Sequence, residues 1–193
     1  ILGLAILGSA MLWWLCVLIV MITTRGRRDS NVFPTSVLPG ALIVLAGGVA
    51  IGWLQQQGQA DGLRLIELLV LVGAVDWGSS FAGRRWGRHK LAAALSPGKT
   101  IQGALGGAVS LLVVSGCIYL FDDSLAETML FTWLSVTVAV YLMCVVGDLY
   151  QSAAKRNAGV KDSGTLLPGH GGILDRVDSV IAASPIYYIV LFW

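Results

Sequence analysis

The chain has 193 residues, of which 56% are hydrophobic and 12% are charged, and its mean hydropathy is +0.78. Soluble domains usually contain about 45–50% apolar residues, so this composition argues against a soluble enzyme. The formal net charge of +2 is too small to indicate a nucleic-acid partner. The three cysteines lie inside apolar runs without C-x-x-C spacing, which argues against disulfides and structural zinc.

Six apolar runs predict helices that cross a membrane, at about 20 residues per span. The runs cover residues 1–24, 37–55, 63–82, 101–121, 129–147 and 180–193, the last being the shortest. We therefore predict an all-α fold, a polytopic membrane bundle of about six helices, with residues 1–193 as a single integral membrane domain. Because the chain opens with Ile1 inside an apolar run, without the basic region or cleavage site of a signal peptide, we expect it to be a fragment.

The positions of the basic residues predict the orientation of the bundle. Cytoplasmic loops keep Lys and Arg, whereas translocated loops do not. Of the 13 basic residues, 12 lie in the first, third and fifth connections, and Arg64 is the exception. This alternation places both chain ends on the non-cytoplasmic side and two polar loops at the cytoplasmic face.

The first of these polar loops begins inside the third apolar run, at Asp76, and ends with Ser96-Pro-Gly-Lys99-Thr100. An Asp near the end of a span is costly unless it meets water, a cation or a basic partner. The Ser96–Thr100 segment resembles a phosphate-cradling turn at a helix N-terminus, although it lacks the earlier Gly of a Walker A motif. The Arg cluster between these segments is explained equally well by the positive-inside rule.

The second polar loop runs from Asp148 to Asp178. If residues 148–156 continue the fifth helix, Asp148, Ser152 and Lys155 share one face of it. Asp175 and Asp178, three residues apart, likewise share a face. Carboxylates are ligands that Mg²⁺ prefers, and Lys and Arg bind phosphate. This mixture of groups is what phosphoryl or nucleotidyl transfer requires.

A dozen residues of this second loop resemble, in type and spacing, the signature of the CDP-diacylglycerol synthases, also called phosphatidate cytidylyltransferases. They are Ser152, Lys155, Arg156, Lys161, Asp162, Pro168, His170, Gly171, Gly172, Asp175, Arg176 and Asp178. The first loop is similar to a second block of that family, with Gly-Arg-Arg-x-Gly-x-His-Lys-Leu followed by Ser-Pro-Gly-Lys-Thr. The departure is at Asp76-Trp-Gly-Ser-Ser80, where the family usually has Asp, Ser or Thr, Gly, Ala and Tyr.

The resemblance implies a bacterial-type enzyme of the inner membrane, truncated at its N-terminus, that joins CTP and phosphatidate into CDP-diacylglycerol and releases diphosphate. It implies Mg²⁺ as cofactor, with Asp148 and Asp175 as metal ligands. A second, monovalent cation and a homodimer stay open. The expected catalytic residues are Asp148, Lys155, Arg156, Lys161, Asp162, His170, Asp175, Arg176 and Asp178. The expected substrate-binding residues are Asp76, Arg84, Arg85, Ser96, Lys99, Thr100, Ser152, Gly171 and Gly172.

Two alternatives are compatible with the same residues. A CTP-dependent polyprenol kinase or an ether-lipid cytidylyltransferase would use these charges on another lipid. An ion-coupled transporter would also carry intramembrane acids, but it would concentrate them near the bilayer midplane.

Overall fold

A computed structural model describes residues 2–24, 37–56, 63–92, 96–122, 125, 129–160, 162–164 and 172–192. In these ranges six helices and two short strands follow one another in chain order. The helices are α1 (Leu2–Thr24), α2 (Val37–Gln56), α3 (Leu63–Trp86), α4 (Ile101–Phe121), α5 (Leu130–Asn157) and α6 (Leu174–Phe192), and the strands are β1 (Lys90–Ala92) and β2 (Ser96–Thr100). The predicted helical bundle is confirmed.

Four of these helices, α2 to α5, are long and apolar enough to cross a membrane, as judged within the described ranges. In α1 the apolar stretch Ala5–Val20 is shorter. Helix α6 begins with a polar turn that contains Asp175 and Asp178, ahead of the predicted span at 180–193. The chain is therefore a multi-pass membrane protein whose last helix carries charges before it becomes apolar.

Helix α5 continues well past its predicted span. It ends at Asn157, ten residues beyond Gly147, which adds about 15 Å of helix. Gly159 follows with a φ of +70°, a left-handed conformation that glycine adopts without steric cost. Asp148 and Lys155 therefore lie on one continuous helix, which is the condition under which they were predicted to share a face.

The two strands are the departure from an all-α fold. They pair antiparallel, with Lys90 opposite Thr100 and Ala92 opposite Ser96. Ser96–Thr100 is thus a strand rather than the expected turn. It still leads directly into a helix N-terminus, because the Thr100 hydroxyl accepts a hydrogen bond from the Gly103 N–H at 3.1 Å and caps α4.

Helices α3 and α4 pack closely through small residues. A Cβ placed on Gly106 of α4 would lie 2.8 Å from the Gly78 carbonyl oxygen of α3, and one placed on Gly107 would lie 3.0 Å from the Val75 oxygen. Only glycine permits such close backbone approach at these positions. We call this contact the α3–α4 seam. It is formed by Val75 and Gly78 of α3 and by Gly106 and Gly107 of α4.

A buried polar cluster lies at the end of the bundle where α3 begins. Arg64 donates hydrogen bonds to both carboxylate oxygens of Glu67, at 3.0 and 2.9 Å, and the Tyr187 hydroxyl donates a third at 2.7 Å. Glu67 is only 7% exposed. The cluster ties α3 to α6 and leaves the opposite ends of both helices to form the site.

Candidate active site

A cavity of about 490 Å³ lies between α3, β2, α4, α5 and α6. Four carboxylates and three basic groups line it, and all of them come from the two polar loops and the adjoining helix ends. They are Asp76, Arg84, Lys99, Asp148, Asp175, Arg176 and Asp178. Tertiary structure therefore joins the two polar loops, which are far apart in sequence, into one site.

Lys99 and Asp148 form the central ion pair of the cavity. Lys99 is carried by β2 and Asp148 by α5, so the pair connects the hairpin to the extended helix. Both side chains are partly exposed, at 23% and 39%. The pair is thus open to solvent and to a ligand that enters the cavity.

Asp175 is held by hydrogen bonds to both of its carboxylate oxygens. The Lys155 ammonium donates to Oδ1 at 2.9 Å, and the backbone N–H groups of Ser163 and Gly172 donate to Oδ2 at 2.9 and 3.0 Å. Desolvation opposes ionisation of this carboxyl, but the hydrogen bonds from Lys155, Ser163 and Gly172 hold its pKa well below the usual range. Asp175 is therefore a carboxylate at neutral pH.

Gln151 supports this arrangement from within α5. Its Oε1 accepts a hydrogen bond from Lys155 Nζ at 3.3 Å, and its Nε2 donates to the Leu174 carbonyl at 2.9 Å. The sequence analysis missed Gln151. Its position four residues before Lys155 was an available signal, because side chains with that spacing meet on a helix.

The other three carboxylates face one another across the cavity. Asp76 lies within electrostatic range of Asp148, Asp178 and Lys99. Asp178 accepts a hydrogen bond from the Ser179 N–H at 2.7 Å. Among the described residues, no group of three or more His, Cys, Asp or Glu side chains could hold a metal ion by itself.

The remaining predicted residues fall into three groups. Thr100 lines the cavity and caps α4, and Gly172 holds Asp175 through its N–H. Seven of the predicted residues that the structure describes do not line the cavity: Arg85, Ser96, Ser152, Lys155, Arg156, Asp162 and Gly172. Of these, Lys155 and Gly172 contact the cavity residue Asp175. Lys161, His170 and Gly171 lie outside the described residues.

The fold and this cavity define a multi-pass membrane protein with a charged cavity at one end of its helical bundle. The chain belongs to the Cytidylyltransferase family, which it matches over residues 2–193. The predicted family and the predicted enzyme class, a nucleotidyltransferase, are thereby confirmed.

Several relatives carry the name phosphatidate cytidylyltransferase, among them those of three bacteria. The chain is 35% identical over 197 residues to that of Pseudomonas aeruginosa, covering 97% of this chain and 69% of the relative. It is 40% identical over 131 residues to that of Haemophilus influenzae, covering 67% of this chain and 46% of the relative. It is 41% identical over 134 residues to that of Staphylococcus haemolyticus, covering 69% of this chain and 51% of the relative. The matches thus span about half of the latter two relatives.

Proposed function

We propose that this chain carries the catalytic part of a phosphatidate cytidylyltransferase, which joins CTP and phosphatidate into CDP-diacylglycerol and diphosphate. The observation that carries the proposal is the cavity itself. It gathers Arg84, Lys99 and Arg176 beside four carboxylates at one end of a membrane bundle, and the named relatives act on phosphatidate. Transfer between two phosphate esters needs positioning and charge neutralisation more than a protein nucleophile.

In the proposed reaction, a phosphate oxygen of phosphatidate attacks the α-phosphorus of CTP. A new P–O–P bond forms, the bond to the β-phosphate oxygen breaks, and diphosphate leaves with that electron pair. Phosphatidate is already an anion near neutral pH, so the step requires no general base. Arg84 and Arg176 offer planar forks that bind phosphate in a bidentate manner, and Lys99 and Lys155 supply point charges.

The donor set of the cavity fits Mg²⁺. Mg²⁺ is usually bound by one or two carboxylates together with water and substrate phosphates, rather than by a complete protein cage, which agrees with the dispersed carboxylates. Asp148 and Asp175 are the proposed ligands, with Asp76 and Asp178 next to them. When bound, the ion would neutralise phosphate charge as a Lewis acid. A second, monovalent cation remains open.

Each of the two proposed ligand carboxylates forms an ion pair with a lysine: Asp148 with Lys99, and Asp175 with Lys155. Lys99 lines the cavity, whereas Lys155 adjoins it through its contact with Asp175. A phosphate bound beside these carboxylates would therefore lie near both positive charges. We further propose substrate contacts for Lys161, Asp162, His170 and Gly171, on the strength of the sequence signature alone.

The proposed location is the inner membrane, with the cavity open to the cytoplasm. The distribution of basic residues supports this orientation. The acyl chains of phosphatidate would remain in the bilayer while its phosphate reaches the cavity, and CTP would enter from the cytoplasm.

The test is to incubate the full-length protein in membranes with CTP labelled in the cytosine ring, phosphatidate and Mg²⁺, and to identify both products. A labelled lipid together with diphosphate supports the proposal. Release of CDP with a phosphorylated lipid would instead identify a kinase. A strong preference for ether-linked over ester-linked phosphatidate would identify an ether-lipid cytidylyltransferase.

A further inference from the structure

A second cavity, of about 770 Å³, lies on the outer face of α3 and α4. We call it the aromatic groove, because Trp77, Phe81 and Trp86 form one wall of it. Apart from the tryptophan N–H groups, its polar side chains are Gln102 and Ser110. The rest of its surface is apolar, so the groove is suited to hydrocarbon rather than to a nucleotide.

The α3–α4 seam separates this groove from the active-site cavity. Gly78 and Gly106 of the seam line the groove, whereas Gly83 and Gly103 line the cavity on the other side. Backbone atoms of the two helices approach so closely here that even a Cβ on Gly106 would be 2.8 Å from Gly78 oxygen. An occupant of the groove therefore cannot reach Asp148 through the seam.

The three rings of the aromatic wall contact one another and are exposed. Trp77 stacks on Phe81 with ring centroids 5.4 Å apart, and Phe81 meets Trp86 edge-on at 5.9 Å. Exposed tryptophans near the end of a membrane helix are typical of the bilayer interface. From Val70 to Trp86 the groove follows α3 for about 24 Å, which exceeds the roughly 15 Å of hydrocarbon in one leaflet.

A positive charge lies at the interfacial end of the same helix face. Arg85 follows Phe81 by four residues and Ala82 by three, spacings that share one face of a helix, and both of these residues line the groove. Arg85 is exposed and lines neither the active-site cavity, unlike its neighbour Arg84, nor the groove itself. Because Arg85 follows the groove residues Phe81 and Ala82 by about one turn of helix, its positive charge lies next to the interfacial end of the groove, where it would attract the phosphate of a chain held there.

We propose that the aromatic groove is an accessory lipid site, which binds one acyl chain of an anionic glycerophospholipid while Arg85 binds its phosphodiester. This lipid is distinct from the substrate, because the seam separates the two cavities. The charge of Arg85 selects an anionic headgroup over a zwitterionic one. A lipid bound in the groove would also stabilise the packing of α3 against α4 at the seam, which forms one wall of the active-site cavity.

The experiment uses the purified full-length protein in detergent, with dioleoyl-phosphatidylglycerol or dioleoyl-phosphatidylcholine added, and counts bound lipids by native mass spectrometry. The site-directed variants are Arg85→Gln, which removes the charge, and Val109→Trp, which fills the groove from α4. The matched controls are Arg88→Gln, an exposed arginine beyond the end of α3, and Leu112→Trp, an exposed α4 residue that does not line the groove.

We expect phosphatidylglycerol to bind in preference to phosphatidylcholine. Arg85→Gln should weaken that binding roughly tenfold, as expected for loss of a charge-assisted hydrogen bond, and Val109→Trp should abolish it, while both controls retain it. Equal binding of the two lipids, or binding unaffected by both site variants, would overturn the proposal. It would also be overturned if Val109→Trp converts a dimer to a monomer without changing bound lipid, which would make the groove an interface between two copies. A rise in KM for phosphatidate in Val109→Trp that parallels the lost phosphatidylglycerol binding would assign the groove to substrate instead.

Discussion

Lys99 and Asp148 form an ion pair across the active-site cavity, although 48 positions separate them and they belong to different elements, β2 and α5. The pair joins the hairpin to the extended helix. It also places an ammonium group within a cavity that holds three further carboxylates. The hairpin is therefore part of the candidate site rather than a connection between two spans.

Lys99→Met should reduce kcat/KM for CTP by about one to two decades. The substitution removes a charge-assisted phosphate contact, typically ~1.5–3 kcal/mol. Steady-state kinetics with CTP as the varied substrate provide the measurement. Lys90→Met is the control, because Lys90 lies on β1 outside the cavity. An unchanged kcat/KM in Lys99→Met would restrict Lys99 to a structural role.

Asp148→Asn and Asp175→Asn should each abolish most Mg²⁺-dependent turnover, because each substitution removes a proposed ligand charge while keeping the side-chain volume. If both residues serve one ion, the double variant should be scarcely worse than either single variant, as expected for residues that act as a unit. Product formation and the fraction of folded protein should be measured together.

The control for these variants is Asp122→Asn, which lies near Arg64 at the other end of the bundle. Near-normal turnover in either single variant would contradict the shared ion. So would activity losses in Asp148→Asn and Asp175→Asn that only follow the loss of folded protein, since that would indicate structural ion pairs.

Gly172→Ala should impair activity more than it impairs folding. A Cβ at Gly172 would lie 2.9 Å from the Gly164 nitrogen, so the backbone that donates to Asp175 must shift. Misplacement of a catalytic group by about 1 Å can cost up to ~100-fold in rate, and we expect a loss of roughly tenfold or more. Gly164→Ala is the matched control, because its Cβ would meet its nearest neighbour, the Gly172 Cα, at an ordinary 3.7 Å. Equal kcat in the two variants would show that this contact does not position Asp175.

Single cysteines at Ser163 and Met129 should label from opposite sides of the membrane. Met129 lies just before α5 and Ser163 lies between α5 and α6, so the length of α5 separates the two positions. The basic-residue pattern places Ser163 on the cytoplasmic side. The background must lack Cys16, Cys117 and Cys144. Labelling of intact cells with a membrane-impermeant maleimide should modify Met129→Cys alone. Modification of both positions would contradict the predicted orientation and move the cavity away from cytosolic CTP.

The sequence by itself determined the helices and the family. The apolar runs located all six helices that the structure describes, because a span of fixed thickness demands a run of fixed length. Ile101–Phe121 was predicted without error. The runs ended too early for α3 and α5 and began too late for α6, because these three helices continue beyond the apolar run into polar sequence. The spaced signature from Ser152 to Asp178 indicated the family without any structure.

Only the tertiary structure decided which polar residues share the cavity. Arg84 and Arg85 are equivalent in sequence, but adjacent helix residues point about 100° apart, and packing of α3 on α4 turns Arg84 toward the cavity and leaves Arg85 outside its lining. Likewise the pairing of Lys99 with Asp148 depends on how β2 docks on α5. Such contacts arise from the relative placement of separate elements, which helical periodicity within one segment does not encode.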